Sequence, residues 1–173
     1  LKIMKNQIVV ILLFVFTFSH AQNEINRGYK VKVGDTLPPI ELHMLNGETW
    51  TNKDLKNKIV VLQFTGSWCS VCRKEMPQLE ERVWQKFKND DFLLIGIDIK
   101  DSLEKVSPFI EKTGVTYPIA WDPEAIIFRD FTLEGAGVTR NIVVNRNGEI
   151  VFLTRLYKED EFQKMIKIIE QLL

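Results

Sequence analysis

The chain has 173 residues, 45% hydrophobic and 27% charged, which suits one globular domain with a core of its own. Lys and Arg total 23 and Asp and Glu total 23, so the formal net charge is zero and no basic stripe marks a nucleic-acid binder. There is no internal repeat, and two cysteines are too few for a scaffold held by several disulfide staples.

The beginning is best read from Met4-Lys5-Asn6. Residues 8–18 are almost wholly apolar, and Ser19-His20-Ala21 precedes the polar Gln22-Asn23-Glu24. A basic start, a short apolar run and a small-x-small site describe a secretory signal peptide over residues 1–21, cut after Ala21. The rivals are a retained membrane anchor, which needs about 20 apolar residues, and a buried helix of the fold. No cysteine lies at the cleavage site, so lipid attachment is not expected. The mature chain, 22–173, is expected to be one domain in a compartment where disulfides persist.

Residues 22–35 read as an irregular lead-in that ends at Pro38-Pro39. Residues 40–45 and 49–50 flank Asn46-Gly47, a hairpin signal, and Asp54-Leu55 reads as a short helical turn. The β-branched run 58–64 predicts a buried central strand, leading into the turn Thr65-Gly66-Ser67-Trp68. From Cys72 to about Lys88, Met76, Leu79, Val83 and Phe87 recur at helical steps, with Pro77 set to kink the helix. Residues 92–99 predict a second buried strand. Residues 102–112 predict a helix capped by Ser102, 117–120 a short strand, and 124–131 a short helix. Strands at 141–145 and 149–154 turn at Asn145-Arg146-Asn147-Gly148. A last helix, 159–173, puts Phe162, Met165, Ile166, Ile169 and Leu173 on one face. Alternating strands and helices followed by a hairpin give an α/β fold. Its central sheet is mixed and flanked by helices, with an N-terminal β-hairpin added.

Cys69 and Cys72 sit where a buried strand runs into a helix. At that spacing the two face each other and can close a small disulfide ring. A cysteine at a helix N-terminus is favoured as thiolate by the unpaired amides and the dipole, and Arg73 and Lys74 add positive charge. The thiolate is the attacking species in disulfide exchange. Cys69 is expected to attack a substrate disulfide, and Cys72 to resolve the mixed disulfide. A structural role fits less well, because so short a loop constrains the unfolded chain little. A zinc site lacks ligands, the histidines being His20 and His43 alone, and Arg73 stands where haem attachment needs histidine. No metal or cofactor is expected. Glu75, three residues past Cys72, shares a helix face with it and is a candidate general base for its proton, or else an acid steadying the first turns.

These residues resemble the thioredoxin-like proteins of bacterial envelopes, the TlpA/ResA group, over about residues 31–173. The resemblance rests on Trp68-Cys69-x-x-Cys72 after Val61-Leu62-Gln63-Phe64, and on Arg73-Lys74-Glu75-Met76-Pro77. Gly34, Asp35 and Pro38, the Asn46-Gly47 hairpin, residues 94–98 and Tyr117-Pro118 add to it. It implies the thioredoxin fold and a periplasmic thiol–disulfide oxidoreductase, more a reductant than an oxidant. The partners implied are protein disulfides and a membrane or envelope thiol reductant that recharges the enzyme; a monomer is the default.

The resemblance also matches Glu75 to a glutamate of the group and makes Trp68 part of a substrate platform. Two departures stand out. Val71 stands where many relatives carry proline, and Thr139, in Gly137-Val138-Thr139-Arg140-Asn141, stands where a cis-proline would face the cysteines. Thr139 and Arg140 are therefore candidate substrate-binding residues. Arg140 is expected either to reach a thiolate or carboxylate of the site or to lie on the surface.

Three other functions compete. A peroxiredoxin-like peroxidase needs Pro and Thr or Ser where Leu62 and Gly66 stand. A copper-binding factor would have His43 alone to join the cysteines. A non-catalytic binding module on the same fold is the third.

Overall fold

The computed structural model describes residues 27–173. The expected signal peptide lies outside the described residues. Among them, no helix is long and apolar enough to cross a membrane.

The fold is built on a five-stranded sheet. Its strands are β3 (Ile59–Thr65), β4 (Phe92–Ile99), β5 (Ile119–Asp122), β6 (Arg140–Val144) and β7 (Ile150–Leu153), in the order β5-β4-β3-β6-β7. β3, β4 and β5 run parallel, and β6 and β7 are antiparallel, as the late hairpin predicts. Every residue of β3 and β6 is buried, so both read as continuous apolar stretches interrupted only where polar chemistry is needed. The N-terminal hairpin, β1 (Glu41–His43) and β2 (Thr49–Thr51), turns at Asn46-Gly47. It docks on β5 through a bridge from Met44 to Ala120. Residues 52–57, where a short helical turn is expected, form hydrogen-bonded turns.

Strand alternation divides the core in two. On one face Val60, Leu62, Phe64, Ile97 and Ile142 pack on the hairpin's Leu42 and on Phe128 and Phe131 of α3 (Ile126–Phe131). On the other, Val61, Leu94 and Val143 meet α1 (Ser70–Leu79), α2 (Leu103–Thr113) and α4 (Glu159–Leu172) through Met76, Leu79, Val106, Phe162 and Met165.

Three local expectations need correction. The lead-in is not irregular throughout. Tyr29 bridges Thr132 and Thr36 bridges Glu149, with Gly34 N–H donating to Ile150 O at 2.8 Å. Ser102 occupies the N-cap of α2, but its hydroxyl makes no capping bond. The active-site helix passes through Pro77 and opens further on, into a π-helical stretch, Glu80–Trp84, and a last α turn, Gln85–Phe87. Proline removes one amide donor within α1, and the π-helical stretch begins three residues after it.

Candidate active site

β3 delivers the chain to the site through a tight turn. Gly66 is required there: a Cβ would lie 2.8 Å from Trp68 Nε1 and 3.3 Å from Ile99 O. Asp101, itself buried, clamps the turn by accepting from Ser67 N–H at 2.6 Å and from Ser67 Oγ at 2.8 Å. Arg73 donates to Ser67 O at 2.6 Å, and Trp121 Nε1 donates to Asp101 O at 2.8 Å. These bonds fix the two residues that precede Cys69.

Cys69 is the N-cap of α1 and is disulfide-bonded to Cys72, with the Cα atoms 5.3 Å apart. Its sulfur accepts from Cys72 N–H at 3.1 Å, one of the donors that the first turn of a helix leaves unpaired. Cys69 is 9% exposed and Cys72 not at all, which makes Cys69 the sulfur a substrate can reach. The indole of Trp68 stands 53% exposed beside it, with Nε1 at 3.4 Å from Ile99 O.

Thr139 closes the other side. Its Oγ1 lies 3.1 Å from both sulfurs. Its amide donates to Phe64 O at 3.2 Å and its carbonyl accepts from Leu156 N–H at 2.8 Å, which ties the loop to β3 and to the segment after β7. Thr139 has φ 62°, a left-handed conformation that a β-branched residue adopts only under constraint. The hydroxyl is thereby placed where it can donate to either sulfur.

Beneath the pair lies a buried polar chain. Glu75 is 1% exposed and accepts from Asn141 Nδ2 at 2.8 Å and from Gln63 Nε2 at 3.2 Å. Gln63 in turn accepts from Tyr117 Oη at 2.8 Å, and Asn141 Nδ2 reaches Thr154 Oγ1 at 2.9 Å. Burial pushes the Glu75 carboxyl up to about 7, against the pull of its Asn141 and Gln63 donors. It is therefore a carboxyl that can hold or release a proton near neutrality.

Cys69, Cys72, Trp68 and Thr139 thus meet, and Glu75 is held buried by Asn141 and Gln63 one helical turn on from Cys72. Arg140 does not join them. It neither faces the sulfurs nor lies on the surface. It is 1% exposed, its guanidinium carbon sits 4.4 Å from the centre of the Tyr29 ring, and its Nε donates to Gly137 O at 2.8 Å. The cause is strand alternation: Arg140 and Asn141 are consecutive on β6, so only one can face α1. Asn141 does, and the sequence reading passed over it. Gln63, on the facing position of β3, was missed as well. A polar residue inside the apolar run 59–64 was the available signal for it.

The AhpC/TSA family pattern matches residues 33–153. The thiol–disulfide oxidoreductase ResA of Geobacillus kaustophilus is 26% identical over 91% of this chain and 90% of its own length. ResA of Bacillus anthracis is 30% identical over 70% and 69%. Among solved structures, a candidate protein disulfide isomerase from Bacteroides thetaiotaomicron is 49% identical and superposes with a TM-score of 0.81, covering 84% of this chain and 92% of that one. The thioredoxin domain of a thiol–disulfide oxidoreductase from Bacteroides vulgatus, 25% identical, superposes with a TM-score of 0.69 over 81% and 99%.

Proposed function

The chain belongs to the AhpC/TSA family, and from that premise we propose that it is a thiol–disulfide oxidoreductase that reduces protein disulfides outside the cytoplasm. The observation that carries the reading is the asymmetry of the pair: one sulfur at the rim on a helix N-cap, the other sealed beneath it above a buried carboxyl.

In the reduced enzyme the Cys69 thiolate attacks one sulfur of a client disulfide. A Cys69–client bond forms, the client S–S bond breaks, and the leaving thiolate takes a proton. Glu75 takes the proton of Cys72, whose thiolate then attacks Cys69. The mixed disulfide breaks, and the client leaves as a dithiol with two electrons and two protons gained. Thr139 Oγ1 donates to whichever sulfur bears the charge, and Trp68 forms the platform for the client chain. The products are the Cys69–Cys72 disulfide and a reduced client, so the cycle needs an envelope or membrane thiol reductant to recharge it. The signal-like pattern of residues 1–21 supports export, and we take the working unit as a monomer.

The test is the reduction potential of the couple, by equilibration against dithiothreitol or glutathione. A value near thioredoxin's, about −270 mV, supports a reductant, and one near about −120 mV overturns that direction in favour of an oxidant. A pair that does not cycle overturns the oxidoreductase reading itself.

A further inference from the structure

Next to the cysteine pair a groove opens between Lys30, Lys100, α3 and the loop 132–136. Its wall adjoins the redox centre: Phe128, which lines it, packs edge-on against Phe64 with ring centres 5.2 Å apart, and the Phe64 carbonyl accepts from Thr139 N–H at 3.2 Å. Two large apolar side chains stand bare along it. Leu133 in its wall is 46% exposed, and Trp68, whose indole reaches the carbonyl just before Lys100, is 53% exposed.

The groove's charge is lopsided. Lys30, Lys100 and Arg129 line it against one acid, Glu134. Among the described residues, none of these three cations lies within ion-pair distance of a carboxylate. Lys30 Nζ instead donates to Arg129 O at 2.6 Å, and Arg129 donates to Glu124 O at 2.5 Å, bonds to carbonyls that leave the positive charges uncompensated. Arg73 and Lys74 lie exposed on the adjoining turn of α1. The whole chain is neutral, so the excess belongs to the lining of this groove rather than to the overall composition.

We propose that this groove docks the client, and that the client presents acidic residues, together with an apolar side chain, beside the disulfide it offers. The assignment deepens the oxidoreductase reading and rests on it. Like charges repel a basic segment from Lys30, Lys100 and Arg129, while an acidic one gains their attraction both in approach and in the mixed disulfide.

The test uses the full mature chain, reduced, and three peptides that carry one identical disulfide flanked by Asp and Glu, by Ser, or by Lys. At low ionic strength kcat/KM for the acidic peptide is expected to exceed that for the basic one by about tenfold, shrinking as salt shortens the screening length. Lys30→Glu with Lys100→Glu is expected to invert the order, and Lys30→Gln with Lys100→Gln to level it. Equal values for acidic and basic peptides, with the serine peptide still reduced, overturn the groove assignment and leave the oxidoreductase reading standing. An acidic preference that survives both double variants overturns it too. If no peptide is reduced, and small neutral hydroxyethyl disulfide is not reduced either, the reading falls and the groove assignment with it.

Discussion

In the proposed mechanism Glu75 and Thr139 set how the two sulfurs are charged, and each can be replaced by a side chain of similar shape. Glu75→Gln keeps the side chain's size but cannot take the Cys72 proton. Its expected effect is a fall of about a hundredfold in the rate at which the mixed disulfide resolves, and loss of the inflection near pH 7 in kcat/KM. Stopped-flow measurement of mixed-disulfide decay across pH checks both. A Glu75→Gln variant that kept the wild-type profile would remove the base from the mechanism. Thr139→Val removes the hydroxyl 3.1 Å from both sulfurs and keeps the β-branch. A hydrogen bond to a charged group contributes about 1.5 kcal/mol, so the Cys69 pKa is expected to rise by about one unit, read from thiolate ultraviolet absorbance. At this scale the sequence was legible where chemistry is local. Cys69, Cys72 and Glu75 are set by spacing along one helix. Asn141 and Gln63 were not, because their convergence on Glu75 depends on the register of β3 against β6, which no short-range pattern carries. A shift of one residue is the whole distance between Arg140, as expected, and Asn141, as found.

Among the elements, β4 carries a gap that the buried polar chain uses. Gly96 pairs with Gln63 on one side and with Ile119 on the other. A Cβ there would lie 2.5 Å from Ile119 Cδ1 and 3.2 Å from Tyr117 Cε2. Tyr117 can lay its ring across the strand to reach Gln63 only because Gly96 has no side chain. Gly96→Ala is therefore expected to destabilise the fold by about 1–3 kcal/mol, read as a lower urea midpoint. Because it displaces Tyr117 from Gln63, the midpoint of the activity profile near pH 7 is expected to move as well. The order and type of the strands and helices were legible from periodicity, and β4 falls on its expected residues, 92–99. The ends were less so. Cys69 sits at the start of the active-site helix, as its place after the strand and turn implies, and its sulfur caps the first turn, while the apolar periodicity shows only from Cys72 on. Pro77 lies inside α1, and the π-helical stretch that follows it at Glu80–Trp84 has no periodic signal in the sequence.

For the whole molecule, two buried acids set the pH range. Burial lifts Asp98 to about 8, helped by the neighbouring Asp101, and Glu75 to about 7. Both hold protons more tightly folded than unfolded. Their contribution is fully present below the ordinary carboxylate range and is lost as pH rises through 7 and then 8. Glu159, held down to about 2 by Arg82, works in the opposite sense: its contribution is present above about pH 4.5 and is lost as pH falls toward 2. Stability is thus expected to peak near pH 4.5, with the urea midpoint falling from about pH 5 to about pH 8 and levelling above it. Asp98→Asn is expected to flatten the upper part of that fall.

The bonds that the lead-in and hairpin make with the sheet have a consequence for an enzyme that handles other chains. Gly34 and Asp35 exchange bonds with Ile150, Arg27 reaches Leu153 O, and Met44 and Leu45 occupy β5 at Ile119 and Ala120. Those contacts obstruct both outer strands, the places where an unfolded polypeptide could add itself edge to edge. A client chain is therefore kept from pairing edge to edge at these positions, so its attachment is confined to the redox end, where the sulfur bond that holds it is also the one the enzyme breaks.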